Sequence, residues 1–164
     1  MPRAPAPVVR LATPADIPAL CELLAVLFSQ EAEFVPDRAA QARGLAHVVA
    51  QPAVGEVLVA CEAAATTDRA DGALLGMVGL LYTVSTALGA RVALLEDMVV
   101  APSARGAGVG TALLARAVEQ ARAQGCARIT LLTDGGNLHA QRFYVRQGFV
   151  GSAMVPMRLA LATR

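Results

Sequence analysis

Apolar and polar positions recur along this chain with two different periods. Residues 8–12 (VVRLA) read as a short strand. Beyond it Ile17, Leu20, Leu23, Leu24 and Leu27 return every three or four residues, the stripe of one helix face. Thr13-Pro14-Ala15-Asp16 marks the helix start, because threonine caps, proline suits the first turn, and a carboxylate there favours the helix dipole. A polar stretch, SQEAEFVPD (29–37), interrupts, and Asp37 is placed to cap a second helix running to about Ala50. Strands are predicted at 55–64 and 73–84, joined as a hairpin through TTDRADG (66–72), and again at 93–100. A helix over 108–124, with Leu114, Ala117, Val118 and Ala121 on its apolar face, closes at Gly125. A strand at 126–133, a short helix at 137–147 closed by Gly148, and two last short strands in FVGSAMVPMRLAL (149–161) complete the pattern.

This order is that of a mixed α/β domain. With no internal repeat and no linker, residues 1–164 are expected to form a single domain. Composition adds little to that picture: 55% hydrophobic and 16% charged residues suffice for a core and argue against disorder. A net charge of +1 gives no field favouring nucleic acid or an anionic membrane, and neither is expected as a partner. Cys21, Cys61 and Cys126 are far apart, without ligand spacing, so reduced thiols and no metal site are expected. Residues 1–16 lack an apolar leader, and a cytosolic (cytoplasmic) home follows as an expectation. The uncharged run 72–90 is nearly long enough to span a bilayer, but its glycines and hydroxyls suit a buried strand and a loop better.

ARGAGVGTALL (104–114) is the unusual stretch. Three glycines within five positions cost order on folding and call for a reason. The spacing fails a dinucleotide fingerprint, which needs GxGxxG directly after a strand, and it lacks the lysine of a P-loop. A strand, a short loop and a helix whose first turn offers unpaired N–H groups fit an anion, with Arg105 adding fixed positive charge and the glycines admitting close approach. A loop without a ligand is the alternative.

Arg105-x-x-Gly108-x-Gly110 also resembles the pyrophosphate motif of the GNAT superfamily of N-acetyltransferases, [RQ]xxGx[GA]. Upstream, LEDMVVAPSARG is similar to that superfamily's fourth strand and the turn into its third helix. Downstream, NLHAQRFYVRQGF is similar to its segment N-x-x-A-x-x-F-Y-x-x-x-G-F, and RLATPADIPALCELL to its opening strand and helix. The resemblance implies a central, mostly antiparallel sheet of about six to seven strands with about four helices, splayed between the fourth and fifth strands. It implies acetyl-CoA as cofactor. The pantetheine arm would lie along the backbone of Met98, Val99 and Val100. The pyrophosphate would sit on Arg105 and the amides of Gly106, Ala107, Gly108, Val109, Gly110 and Thr111. Asn137, with Ala140 and Tyr144 on the same helix face, would meet the arm from the other side.

Acyl transfer to an amine needs a neutral amine and a proton for the leaving thiolate. The resemblance makes Tyr144 the acid; a packed aromatic is the alternative. Glu96 is the expected base, since strand parity places it with Met98 and Val100 and turns Asp97 to the opposite face. An ion pair of Glu96 with Arg91 is the competing reading. Glu31, Glu33 and Phe34 lie in the loop between the first two helices, which the resemblance assigns to the acceptor site. Carboxylates there would favour a cationic amine, although acidic loops also occur simply solvated. The acceptor is then a small-molecule or peptide amine, and a homodimer is compatible with the chain. A non-catalytic acyl-CoA-binding module is the rival from another class.

Overall fold

The structure, a computed structural model, describes residues 6–31, 33–63 and 73–161. The turn expected at 66–72 lies outside them. The chain packs as two units, within residues 1–132 and 133–164.

The first unit is built on a five-stranded sheet in the order β1-β2-β3-β4-β5: Val8–Leu11, Gly55–Cys61, Leu74–Ser85, Ala90–Val100 and Ile129–Leu131. The first four strands pair antiparallel and the fifth joins β4 in parallel. β2 is buried along its whole length, as expected of a strand covered on both faces. One face carries α1 (Ile17–Phe28) and α2 (Arg38–Ala50). Leu20, Leu23, Leu24 and Leu45 meet Val57, Val59, Met77 and Val99 there. The stripe read from the sequence is therefore the face that α1 buries. Asp37 caps α2, accepting from the Ala40 amide at 3.0 Å.

The other face carries α3 (Val109–Ala123), which buries Leu113, Leu114, Ala117 and Ala121. Its stripe is rotated from the expected one, because Gln120 is buried too. The reason is Glu56 on β2, 8% exposed. Gln120 Nε2 donates to both its carboxylate oxygens at 3.1 and 3.0 Å, Gln124 Nε2 adds longer bonds, and the Tyr82 hydroxyl donates as well. Arg91 stacks on the Tyr82 ring, 4.3 Å from its centre, and donates to Gln124 and the Ala53 carbonyl. A buried carboxylate is costly unless satisfied, and here the partners that satisfy it also fix α3 to the sheet.

At the entry to α1, Asp16 accepts from both Arg10 guanidinium nitrogens at 2.8 and 2.9 Å and from the Thr13 amide at 2.7 Å. The Arg10 bonds hold its carboxyl down at about 2. The sequence pointed to Asp16 as a dipole partner; its ion pair with β1 was not visible there.

The second unit contains α4 (Leu138–Arg146), capped by Asn137 Oδ1 accepting from the Ala140 amide at 3.1 Å. Phe143, Tyr144 and Phe149 form an edge-to-face ring cluster with centroids 5.3 and 5.7 Å apart. The two final strands expected at 149–161 are not formed, so the described residues carry five strands rather than six or seven. A strand exists by pairing, and Pro156 removes one donor from this run. Its apolar residues Val150, Met154, Val155, Met157, Leu159 and Leu161 are exposed.

Replacing Asp16 with Ala removes the paired bonds from Arg10 and the bond from the Thr13 amide, and is expected to cost about 2 kcal/mol of stability at neutral pH. Because the folded value lies below the ordinary 3.8, this contribution is present above about pH 4 and lost as pH falls towards 2. Urea unfolding of wild type and Asp16→Ala at pH 7 and near pH 2.5 checks it; an equal difference at both pH values contradicts the assignment.

Candidate active site

The loop between β4 and α3 takes its shape from glycine. Gly106 and Gly108 have φ of +78° and +83°, in the left-handed region that other residues enter at a cost of about 1–2 kcal/mol. At both positions a Cβ would meet no atom within 4 Å. The glycines are thus required by backbone conformation, and open space lies where side chains would project. Gly108 stands at the N-cap of α3 and supplies no side-chain bond, which leaves the first-turn amides of Val109, Gly110 and Thr111 without intrahelical partners. Ala107 and Arg105 are exposed beside them, and Arg105 Nε donates to the Val100 carbonyl at 3.3 Å. Open space, aligned amides and a guanidinium fit a pyrophosphate.

β4 is the second element of the site. Its pairing with β5 covers only Ala93, Leu94 and Leu95. From Glu96 to Val100 its outer edge has no strand partner among the described residues, which is the expected splay. On the inner edge Glu96 pairs with Gly79 and Val99 with Met77, so Asp97 and Met98 together oppose Val78 in a β-bulge. Asp97 adopts φ of +53°, the one non-glycine residue with positive φ among those described.

The bulge corrects the expected strand parity. Glu96 shares its face with Val99, buried under α1 and α2, and not with Met98 and Val100; Val100 pairs with Gly76. Asp97 does not turn away from Glu96. Both carboxylates line a pocket of about 240 Å³ enclosed by Leu24 and Phe28 of α1, Gln41, Gly44, Leu45 and Val48 of α2, and the sheet at Val57, Met77, Gly79 and Leu81. Burial, together with the neighbouring Glu96 and Glu31 charges, raises the Asp97 carboxyl to about 6. Glu31, half-buried, therefore acts on the pocket electrostatically. Glu33 is exposed, and Phe34 packs on Phe28 with ring centres 5.5 Å apart. Arg91 is engaged with Gln124, Ala53 and Tyr82, and no Glu96–Arg91 ion pair forms among the described residues.

In the second unit Asn137 is exposed and its Oδ1 is committed to capping α4. Ala140 and Tyr144 are half-buried. Burial raises the Tyr144 phenol above its ordinary value, so it stays protonated through neutral pH. Its hydroxyl makes no hydrogen bond among the described residues.

Sequence reading set Asp97 aside on parity and passed over Gln41. One signal for Asp97 was present: aspartate is a poor strand former that tolerates left-handed backbone, so its place inside an apolar strand marks a bulge. For Gln41 no local signal exists, since only packing buries its amide.

The pattern defining the acetyltransferase (GNAT) family matches residues 56–149, and the chain belongs to that family. The solved structure of an acetyltransferase from Trypanosoma brucei is 28% identical over 94% of this chain and 99% of that one, with a TM-score of 0.71. A ribosomal-protein-alanine N-acetyltransferase from Brucella melitensis biovar Abortus covers 96% of this chain and 100% of its own, with a TM-score of 0.70; at 18% identity this is a likeness of fold. The uncharacterized protein YdhI of Bacillus subtilis is 39% identical over 57 residues, 35% of this chain and 36% of that protein. No helix among the described residues is long and apolar enough to cross a membrane.

Asp97 carries a prediction for stability. Its folded value lies above the ordinary 3.8, so its contribution to stability is complete below about pH 4 and is lost as pH rises through about 6. Asp97→Asn keeps tolerance of the left-handed backbone and removes the titration. The variant is expected to be more stable than wild type at pH 7, with the gap closing by pH 4 in urea unfolding. A gap that is constant or reversed contradicts the burial of this carboxylate.

Proposed function

We propose that this chain is an N-acetyltransferase that moves an acetyl group from acetyl-CoA to a primary amine of a small molecule or an exposed protein amine, by direct attack with both bound together. The observation that carries the reading is the bulge at Asp97. It places a carboxylate of raised basicity in a pocket at the point where β4 loses its partner. Acetyl-CoA, when bound, supplies an acetyl thioester activated towards amines.

Arg105 and the backbone from Gly106 to Thr111 hold the pyrophosphate. The unpaired β4 edge at Met98, Val99 and Val100 offers backbone groups to the pantetheine arm, and Asn137 and Ala140 are assigned to the same arm. Asp97 takes the proton of the incoming ammonium. A value of about 6 leaves it ionised at pH 7 yet more basic than an ordinary carboxylate. Glu96, at the pocket wall, is the alternative acceptor of that proton. Tyr144, kept protonated by burial, is the donor to the leaving group. Glu31, Glu33 and Phe34 border the acceptor side, where the carboxylates favour a cationic amine. Cys21 and Cys126 are free thiols among the described residues, which suits a reducing cytosol.

The test is release of free thiol from acetyl-CoA across a panel of amines, polyamines, amino acid derivatives and peptides. Gly108→Val is expected to weaken acetyl-CoA binding at least tenfold in calorimetry, about 1.4 kcal/mol, with folding retained; unchanged affinity removes the pyrophosphate assignment. Wild type is expected to show kcat/KM falling below about pH 6, beyond the slope set by the amine's own titration. Asp97→Asn should abolish that limb and lower kcat roughly 10²-fold, and Tyr144→Phe should lower kcat by a similar factor with acetyl-CoA affinity kept. If Asp97→Asn retains the limb and Glu96→Gln loses it, the base is Glu96. Acetyl-CoA binding with no thiol release for any amine would instead make the chain an acyl-CoA-binding module.

A further inference from the structure

The pocket between α1, α2 and the sheet holds two features that the transfer chemistry does not use. Gln41 Nε2 is buried there and has no hydrogen-bond partner among the described residues. A buried amide donor left unsatisfied costs about 1–3 kcal/mol, a cost that a bound oxygen would relieve. Gly44, one turn further along α2, also lines the pocket. Glycine inside a helix costs about 1 kcal/mol relative to alanine. No atom lies within 4 Å of a Cβ built at Gly44, and its φ is outside the left-handed region, so packing and backbone conformation do not require glycine there. What the missing side chain leaves is room at the pocket.

The rest of the lining sorts by chemistry. Leu24, Leu45, Val57 and Met77 form an apolar wall, and Glu96 and Asp97 supply negative charge. At about 240 Å³ the pocket is smaller than the roughly 300–1,000 Å³ of sites for drug-sized ligands. We propose that the pocket selects a small, branched apolar amine carrying an uncharged oxygen, with the ammonium on the carboxylates, the apolar body past Gly44, and the oxygen accepting from Gln41 Nε2. An uncharged oxygen is favoured because a carboxylate would meet Glu96, Asp97 and the nearby Glu31 with like charge. This rests on the acetyltransferase reading for its meaning as an acceptor site, but the binding itself does not.

Three matched probes separate the terms: leucinamide, isopentylamine (the same apolar body and amine without the carboxamide) and leucine. Calorimetry on the wild-type protein is expected to show leucinamide binding roughly tenfold tighter than either of the others. Gln41→Leu keeps side-chain bulk and removes the amide. It should bring leucinamide down to the level of isopentylamine and leave isopentylamine unchanged, while Gln41→Asn retains part of the preference. Gly44→Leu should block all three while raising thermal stability, which separates occlusion from unfolding. Equal binding of leucinamide and isopentylamine, or a preference that survives Gln41→Leu, overturns the role of Gln41. Undiminished binding to a folded Gly44→Leu variant overturns the pocket. The acetyltransferase reading fails separately: leucinamide bound with the expected pattern, but no thiol released from acetyl-CoA by any amine, keeps this proposal and removes that one.

Discussion

One extra residue in β4 sets the geometry of this site. Asp97 and Met98 oppose the single residue Val78, and Asp97 turns through the left-handed region to make it possible. A bulge inverts side-chain parity beyond it and strengthens the local twist. Here that inversion sends Val99 into the core under α1 and α2 while Glu96, on the other side of the bulge, faces the same way. The two carboxylates then lie together in one pocket, where the Glu96 charge adds to burial in raising the affinity of Asp97 for a proton. Just before the bulge β4 pairs with β5 for the last time, so its outer edge from Glu96 to Val100 has no strand partner among the described residues.

The surrounding fold is what makes such an arrangement tolerable. A carboxylate held half-buried beside another one costs stability, and the left-handed turn at Asp97 adds of order 1 kcal/mol. These costs sit on a strand anchored on both faces. On one side Leu20, Leu24, Met77 and Val99 form an apolar cluster. On the other, Glu56 is satisfied by Gln120 of α3, Gln124 at the C-cap of that helix, and Tyr82 of β3. The unsatisfied amide of Gln41 and the glycine inside α2 fall in the same pocket as the strained residue. Local departures from good folding practice cluster where a ligand would be handled.

Periodicity was a sound guide wherever one helix face is buried against apolar residues. The stripes of α1 and most of α3 follow from residue spacing, and so does the sequence of elements through β5. The glycine loop before α3 was legible because its requirement is local: Gly106 and Gly108 need positive φ whatever surrounds them. What spacing could not supply is any feature created by pairing. The parity argument for Glu96, Met98 and Val100 assumed an uninterrupted strand, and one bulge reversed it. Gln120 was left off the stripe of α3 because its burial depends on Glu56, 64 residues away. The last two strands read at 149–161 are not formed, because an apolar run does not by itself supply a pairing partner. Gln41 was silent for the same reason, as its amide is buried only after α2 has packed on the sheet.

The central claim is that Asp97 is held, by its bulge and its pocket, as a carboxylate poised for proton transfer near neutral pH. Its side-chain carboxyl carbon can be followed directly by NMR through a pH titration, with Asp97→Asn identifying the resonance. A midpoint near 6, shifting downward when a cationic amine such as leucinamide occupies the pocket, is the expected result. A midpoint near the ordinary 3.8 that does not respond to amine would contradict it, because Asp97 would then be an ordinary solvated carboxylate.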